Sequence, residues 1–307
     1  MAEILLSLTI IGVVAAITLP SLTGNINERT WNTQRKALYA RMSQAIPLMG
    51  SLNGYGIGAT ESETASNAAK TFITNGLAKV YKINNICDAE HLDDCGIPDK
   101  ITVKAGNKVS VPGNLYNFNS NFNRYPIQMN TSAAAFETAN GESVLAFYNP
   151  LCTSFEPNGT HNLNVAIKYS SQITGANFIY DLNGKKGPNT VGKDIGFIIA
   201  INSTDSNVVS FLPKGVLPAN TYTALNSACR QTYHNDEDVR AITLYDAVAL
   251  WSNQFFILET LSQTGAYQTT TTNAEIGKNY YIDMYRGGAL WIPTSASSTR
   301  QSYCVQK

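Results

Sequence analysis

The stretch Met1 to Pro20, MAEILLSLTIIGVVAAITLP, constrains this chain more than any other. From Ile4 to Leu19 every residue is apolar or small, and none is charged. Such a segment leaves water for a bilayer or for the buried middle of a bundle. It is slightly shorter than the roughly 20 residues of a spanning helix. It lacks the Ala-x-Ala cleavage pattern of an ordinary signal peptide, and no basic run precedes it. Glu3 stands alone just before it. A carboxylate at the edge of a hydrocarbon-facing helix is costly unless a cation pairs with it, and a free amino terminus is the nearest cation. The plainer alternative is an interfacial Glu favoured by the macrodipole of the first helical turn.

The helical text runs on without a strong stop until about Pro47. Gly12 and Pro20 are its weak points. Glycine costs about 1 kcal/mol in a helix interior, and proline removes the bond to the carbonyl four residues earlier. After Pro20 the apolar positions become periodic. Trp31, Leu38, Met42, Ala45 and Ile46 fall on one stripe, and Glu28, Arg29, Arg35, Lys36 and Arg41 lie largely off it. An amphipathic helix of this kind packs its inner face on a core. Together the two halves predict one helix of about 45 residues, roughly 70 Å long at about 1.5 Å per residue.

Glu3, the run Ile4 to Ile11, Gly12, the run Val13 to Leu19 and Pro20 resemble the mature amino terminus of type IV pilins and pseudopilins. Glu, Gly and Pro fall at that family's relative spacings, and Trp31 to Ile46 is similar to the continuation of the first helix in a pilin-like subgroup. The family's glutamate lies two residues farther from the cleavage point than Glu3 lies from Met1. The expectation is therefore that two residues precede Met1 in the mature protein and that a basic leader has been removed.

The rest of the chain reads as α+β. Gly50 to Thr60 is a Gly-rich connector without the GK[ST] of a phosphate loop. Glu61 to Tyr81 has helical character, with Ala65, Ala68, Ala69, Phe72, Leu77 and Val80 available for one face. From about Lys100 the text turns to short β-branched or aromatic runs separated by Gly, Asn and Pro. These are Ile101–Val103, Val109–Val111, Ser143–Tyr148, Leu163–Tyr169, Asn177–Asp181, Ile195–Ile201 and Val208–Leu212. Strands with short turns predict an antiparallel sheet. Asn114 to Asn130 reads as a surface excursion. Helical text from Asp236 to Leu261, a Thr-rich loop at Thr269–Thr272 and an aromatic stretch from Tyr280 to Trp291 complete the chain. The expected organisation is a helix over 1–50, with an assembly half at about 1–22 and an amphipathic half at about 23–50. A sheet-bearing head follows over 51–218, and an elaboration of it over 219–307.

Net charge is zero and only 14% of residues are charged, so no global basic field invites nucleic acid. The five cysteines suit an oxidising compartment, and without a C-x-x-C pair a zinc ribbon is not expected. Cys87 and Cys95 close a short acidic loop and read as a structural staple in preference to a redox pair. A bridge between Cys229 and Cys304 resembles the carboxy-terminal loop that pilins close this way, with Cys152 as the rival partner. Asp181, Asn183 and Asp194, in DLNGKKGPN and the residues after it, place oxygen donors as a calcium loop does. Pilin-like proteins carry a similar DxNGxxGPN segment, and some pseudopilins bind calcium in such loops. Lys185 and Lys186, and the lack of a closing Glu, favour a simple Asn-Gly turn between strands.

Asp236, Glu237 and Asp238 beside His234 read as a helix start in preference to a metal site. His91 and His161 are isolated. Tyr280, Tyr281 and Tyr285 fill a sheet or an interface more readily than they stack on a ligand. Nothing matches G-x-S-x-G, H-E-x-x-H or a dinucleotide fingerprint, so enzymatic activity is not expected.

The resemblance implies a long helical spine packed against an antiparallel head, and a structural subunit of an extracellular type IV pilus-like filament with adhesion, motility or DNA uptake as possible roles. It also implies an inner-membrane precursor, a prepilin peptidase, assembly machinery, a methylated amino terminus and a helical homo-oligomer. In that filament Glu3 neutralises the terminal amine of a neighbour, and the segment between Gly12 and Pro20 melts. The alternatives are a low-abundance pseudopilin of a type II secretion-like machine and a membrane-anchored extracytoplasmic binding protein.

Overall fold

Helix α1 spans residues 28–49 and continues through Pro47, two residues past the expected stop. In the computed structural model, the described residues are 13, 28–49, 68–103, 106–111, 132–148, 174–201, 207–220, 224–243, 246, 250, 266–273, 278–283, 288–293 and 300–306. The chain divides into two compact units, Met1–Leu38 and Tyr39–Lys307. In the first, Val13 and 28–38 are helical, Val13 is exposed, and Arg35 and Leu38 are buried. Arg35 is a correction to the expected stripe: it sits three residues before Leu38, on the buried face. Glu3, Gly12 and Pro20 lie outside the described residues. Among the described residues no helix is long and apolar enough to cross a membrane.

In the second unit Met42, Ala45, Ile46 and Met49 are buried at helical spacing. The next helix, α2, is α-helical over Ala68–Thr71 and Ala78–Val80, with a π-helical turn, Phe72–Leu77, between them. The extra residue of the π turn brings Phe72, Ile73, Gly76 and Leu77 all to the buried side. Strands follow in chain order: β1 Ile83–Asp88, β2 Lys100–Thr102, β3 Lys108–Ser110, β4 Ser132–Thr138, β5 Ser143–Tyr148, β6 Thr174–Asp181, β7 Ile195–Ile201, β8 Asn207–Asn220, β9 Val239–Ala241, β10 Ala266–Asn273, β11 Lys278–Asp283, β12 Gly288–Pro293 and β13 Arg300–Gln306.

The fold is therefore mixed α+β, with an antiparallel sheet of eight strands in the order β1-β4-β5-β6-β7-β8-β13-β9. Its middle strands read as near-continuous apolar runs because both faces are covered: Val144 to Phe147 and Ile195 to Ala200 are buried throughout. On one face α2 packs against β4. Phe72 meets Phe178 at 6.4 Å between ring centroids, and Phe178 meets Phe136 edge-on at 6.5 Å. Tyr180 on β6 stands opposite Gly196 on β7, and a Cβ at Gly196 would overlap the Tyr180 phenol, so only glycine fits there.

The sheet does not stop at residue 218. β13 pairs with β8 and with β9, so the segment after 219 supplies two of the eight strands. Helix α3, Leu225–Thr232, packs on β9, and Leu217, Leu225, Cys229, Val239, Ala241 and Cys304 form a local core. Strands β10, β11 and β12 make a separate three-stranded sheet, and β2 and β3 a two-stranded ribbon.

Two expectations are corrected here. Asp236 does not start a helix: its carboxylate caps the Asp238 amide and accepts from Gln306 Nε2, and strand β9 begins at Val239. Pairing with β13 overrides the acidic first-turn signal. The helical text begins later, at a capping box in which Thr243 and Asp246 exchange hydrogen bonds, and Asp246 and Leu250 are helical. Thr269–Thr272 lies within β10 and is not a loop, as the β-branched threonines favour. Gly50–Thr60, Asn114–Asn130, Leu163–Tyr169, Cys152, His161 and Tyr285 lie outside the described residues.

Candidate functional site

The β6–β7 connection carries the densest set of polar side chains that the sequence singled out. Asp181 ends β6, a single 3-10 turn covers Gly184–Lys186, and Asp194 precedes β7. The turn holds itself together by side chain–backbone bonds. Asp181 Oδ1 accepts from the Asn183 amide at 3.1 Å, and Asn183 Nδ2 donates to the Gly187 carbonyl at 2.6 Å. Asp194 Oδ2 and Oδ1 accept from the amides of Asn189 and Thr190, both at 2.8 Å. Asn189 takes a left-handed backbone, φ 49°, which Asn tolerates better than most residues. Gly184 is wedged against Ser143 Oγ and the Gly96 carbonyl, where a Cβ would crowd both.

Asp181 and Asp194 are 3% and 0% exposed. Burial pushes the Asp181 carboxyl up to about 7, the nearby Asp194 adds to the shift, and the Asn183 and Gly184 amides oppose it. Asp181 Oδ2, Asn183 Oδ1 and Asn189 Oδ1 are buried and accept no hydrogen bond. Lys185 and Lys186 are exposed, and Lys185 Nζ lies 3.9 Å from Asp93 Oδ2. Among the described residues no group of three or more His, Cys, Asp or Glu side chains converges to hold a metal.

A second constellation, which sequence reading missed, ties α1 to the sheet. Glu142, in the β4–β5 turn, is 4% exposed and accepts from Arg41 Nη2 at 2.5 Å and from Thr138 Oγ1. Arg41 also stands over the Tyr81 ring, 5.8 Å from its centroid. Burial lifts the Tyr81 phenol to about 12; Arg41 works against that shift, and Glu142 adds to it. Tyr39 Oη donates to the Val208 carbonyl at 3.1 Å. The signal available in the sequence was a basic residue adjacent to the apolar stripe at Met42, which solvation alone does not require.

Cys87 and Cys95 are joined by a disulfide, as are Cys229 and Cys304. The first closes an 8-residue separation and the second a 75-residue one. Chain entropy assigns about 2.5 and 4.5 kcal/mol to loops of these sizes. His91 Nδ1 and Asp88 Oδ1 pair at 2.7 Å on the exposed side of the first bridge. His234 sits in the turn after α3 with a left-handed backbone. Tyr280 and Tyr281 lie on β11, opposite Trp291 and Leu290 of β12.

No protein-family model matches the chain, and a search of curated proteins returns no match.

Proposed function

We propose that this chain is a structural subunit of an extracellular type IV pilus-like filament, assembled through its hydrophobic amino-terminal helix. The observation that carries the reading is the way α1 serves two masters. Residues 39–49 of α1 are bonded into an antiparallel sheet through Arg41–Glu142 and Tyr39–Val208, and the helix begins before the boundary of that unit. Upstream lies the uncharged run Ile4 to Leu19 with Glu3, Gly12 and Pro20 at pilin spacing. A helix docked on a sheet, with an uncharged apolar run upstream in the sequence, suits a subunit that waits in the inner membrane and is then buried among copies of itself.

In that assembly Glu3 neutralises a neighbour's terminal amine. An unpaired carboxylate there costs several kcal/mol in an apolar setting, which penalises wrong registers. The test is Glu3→Ala in cells. Filaments are lost or shortened while the head keeps both disulfides and its folded spectrum; filaments of normal length and number overturn the reading. The composition of purified filaments separates a major subunit from a low-abundance pseudopilin. Turnover of a substrate by the released head would favour a membrane-anchored extracytoplasmic protein instead.

A further inference from the structure

One face of the eight-stranded sheet carries a cavity with an acid on its floor. Residues opposite each other across an antiparallel pair share a face, as do residues two apart along a strand. Leu145 stands opposite Ile179, and Ile195 opposite Asp181, so these four side chains project to the same side. All four line the cavity, and Ile101 and Val111 line it from the β2–β3 ribbon. The ribbon is bonded in place: the Thr102 amide donates to the Asn189 carbonyl and the Val191 amide to the Thr102 carbonyl, both at 2.8 Å. Asp181 is the one charged residue in this lining, and it is 3% exposed. Its Oδ2 accepts no hydrogen bond from the described residues, which is exceptional for a buried acceptor. A second cavity adjoins the first, with Ile97, Pro98 and Val111 common to both. Exposed Glu90, Asp93 and Asp99 stand around it. The Cys87–Cys95 bridge holds this outer wall, as does the Ile97 amide donating to the Leu92 carbonyl at 3.2 Å.

We infer that the two adjoining cavities bind a linear aliphatic diammonium ion, one ammonium against Asp181 and the other among Glu90, Asp93 and Asp99. Size sets the inner head group. The inner cavity holds about 20 Å³ and the outer about 90 Å³. A single water needs roughly 10–15 Å³, so the inner space admits one ammonium and refuses a guanidinium or a ring. The shared wall sets the stem: Ile97, Pro98 and Val111 offer methylenes an apolar path from one cavity to the other. Charge sets the number of cations. A monoamine answers either the buried carboxyl or the exposed acids, and a diamine answers both. Burial lifts the Asp181 carboxyl to about 7, and an ammonium beside it favours the ionised form again. The exposed acids draw cations to the mouth. One ammonium already rests there, since Lys185 Nζ lies 3.9 Å from Asp93 Oδ2. The filament reading neither requires this site nor follows from it.

The test uses the full chain in detergent, with diaminobutane carrying its amines at the two chain ends as the probe. Titration calorimetry and the midpoint of thermal unfolding are the readouts. The expected result is one saturable site and a rise in melting temperature as the diamine is added. Butylamine, which has the same stem and a single ammonium, should bind at least about tenfold more weakly. Asp181→Asn should weaken diamine binding by at least about tenfold as well. The double variant Glu90→Gln with Asp93→Asn changes only exposed positions and should weaken it several-fold. Absence of saturable binding at millimolar diamine overturns the proposal. So does butylamine binding as tightly as the diamine, or affinity that the Glu90 and Asp93 changes leave unaltered. Binding that survives Asp181→Asn unchanged overturns it too, and would mean only a loose attraction to the acidic rim.

Discussion

The β4–β5 hairpin and the β6–β7 turn each bury a carboxylate, and they treat it in opposite ways. Glu142 and Asp181 are similarly hidden, at 4% and 3% exposure, and they are near neighbours: Ser143, next to Glu142, pairs with Asp181 across β5 and β6. Glu142 receives a guanidinium from α1 and a hydroxyl from Thr138. Asp181 receives only backbone amides on one oxygen and faces a second buried acid. A charge that docks an element is provided with its counter-charge within the chain. Asp181 is not so provided, and burial lifts its carboxyl to about 7, so it keeps its proton far above the ordinary carboxylate range.

The largest effect should come from removing the internal counter-charge. Arg41→Ala leaves Glu142 buried and unpaired, and is expected to destabilise the head by about 3 kcal/mol in denaturant melts, with Glu142→Gln in the same chain recovering most of it. An additive double variant would show that the pair is not the docking device. Next, Gly196→Ala drives a methyl into the Tyr180 ring and is expected to cost about 2 kcal/mol. Equal stability would mean that the β6–β7 frame beneath Asp181 is looser than the packing implies.

Asp181→Asn should act in the reverse sense from Arg41→Ala. It removes a buried carboxyl raised to about 7 and is expected to stabilise by about 1 kcal/mol above that pH, where the wild type must ionise inside the fold, and by little below the unfolded carboxylate pKa. A stability difference that does not change with pH would erase the contrast between the two carboxylates.

The smallest effect concerns Asp88 and His91, an acid and a cation that are both in solvent. The paired His91 holds the Asp88 carboxyl below its usual range, and Asp88 raises the His91 imidazole. The Asp88 contribution is present above its unfolded pKa and fades as pH falls through the lowered folded value. The His91 contribution is complete below its unfolded pKa and fades as pH rises through the raised one, so the pair acts only between the two folded values. NMR titration should find the His91 transition above the ordinary imidazole range and return it there in Asp88→Asn. An unmoved transition would show that the pair does not persist in solution.

What the sequence made legible follows the strength of the local pattern. Ser143–Tyr148 and Ile195–Ile201 read as strands to the residue, because β-branched and aromatic runs bounded by turn residues have few other uses. Ser132–Thr138 was not read as a strand: its alanines favour a helix, and only the neighbours β1 and β5 impose extension. Val239–Ala241 was hidden for the same reason, since its partner lies some 60 residues downstream in β13. At the candidate site Asp181 and Asn183 could be picked out by spacing alone. That Asp194 gives both its oxygens to backbone amides could not, because it depends on how the turn closes. Arg41 was legible as a surface cation, and its burial partner lies 101 residues away.

The position of β13 between β8 and β9 has a consequence for how the molecule is made. Until residues 300–306 emerge, β8 has a bare hydrogen-bonding flank, and β9 lacks the strand it pairs with. A nascent head is thus an open zip whose slider comes late, and another copy's strand could enter the gap first. The Cys229–Cys304 bond fastens the slider in place once it has travelled home. Closure of that bond then doubles as the signal that the sheet has been completed with its own strand and not a stranger's.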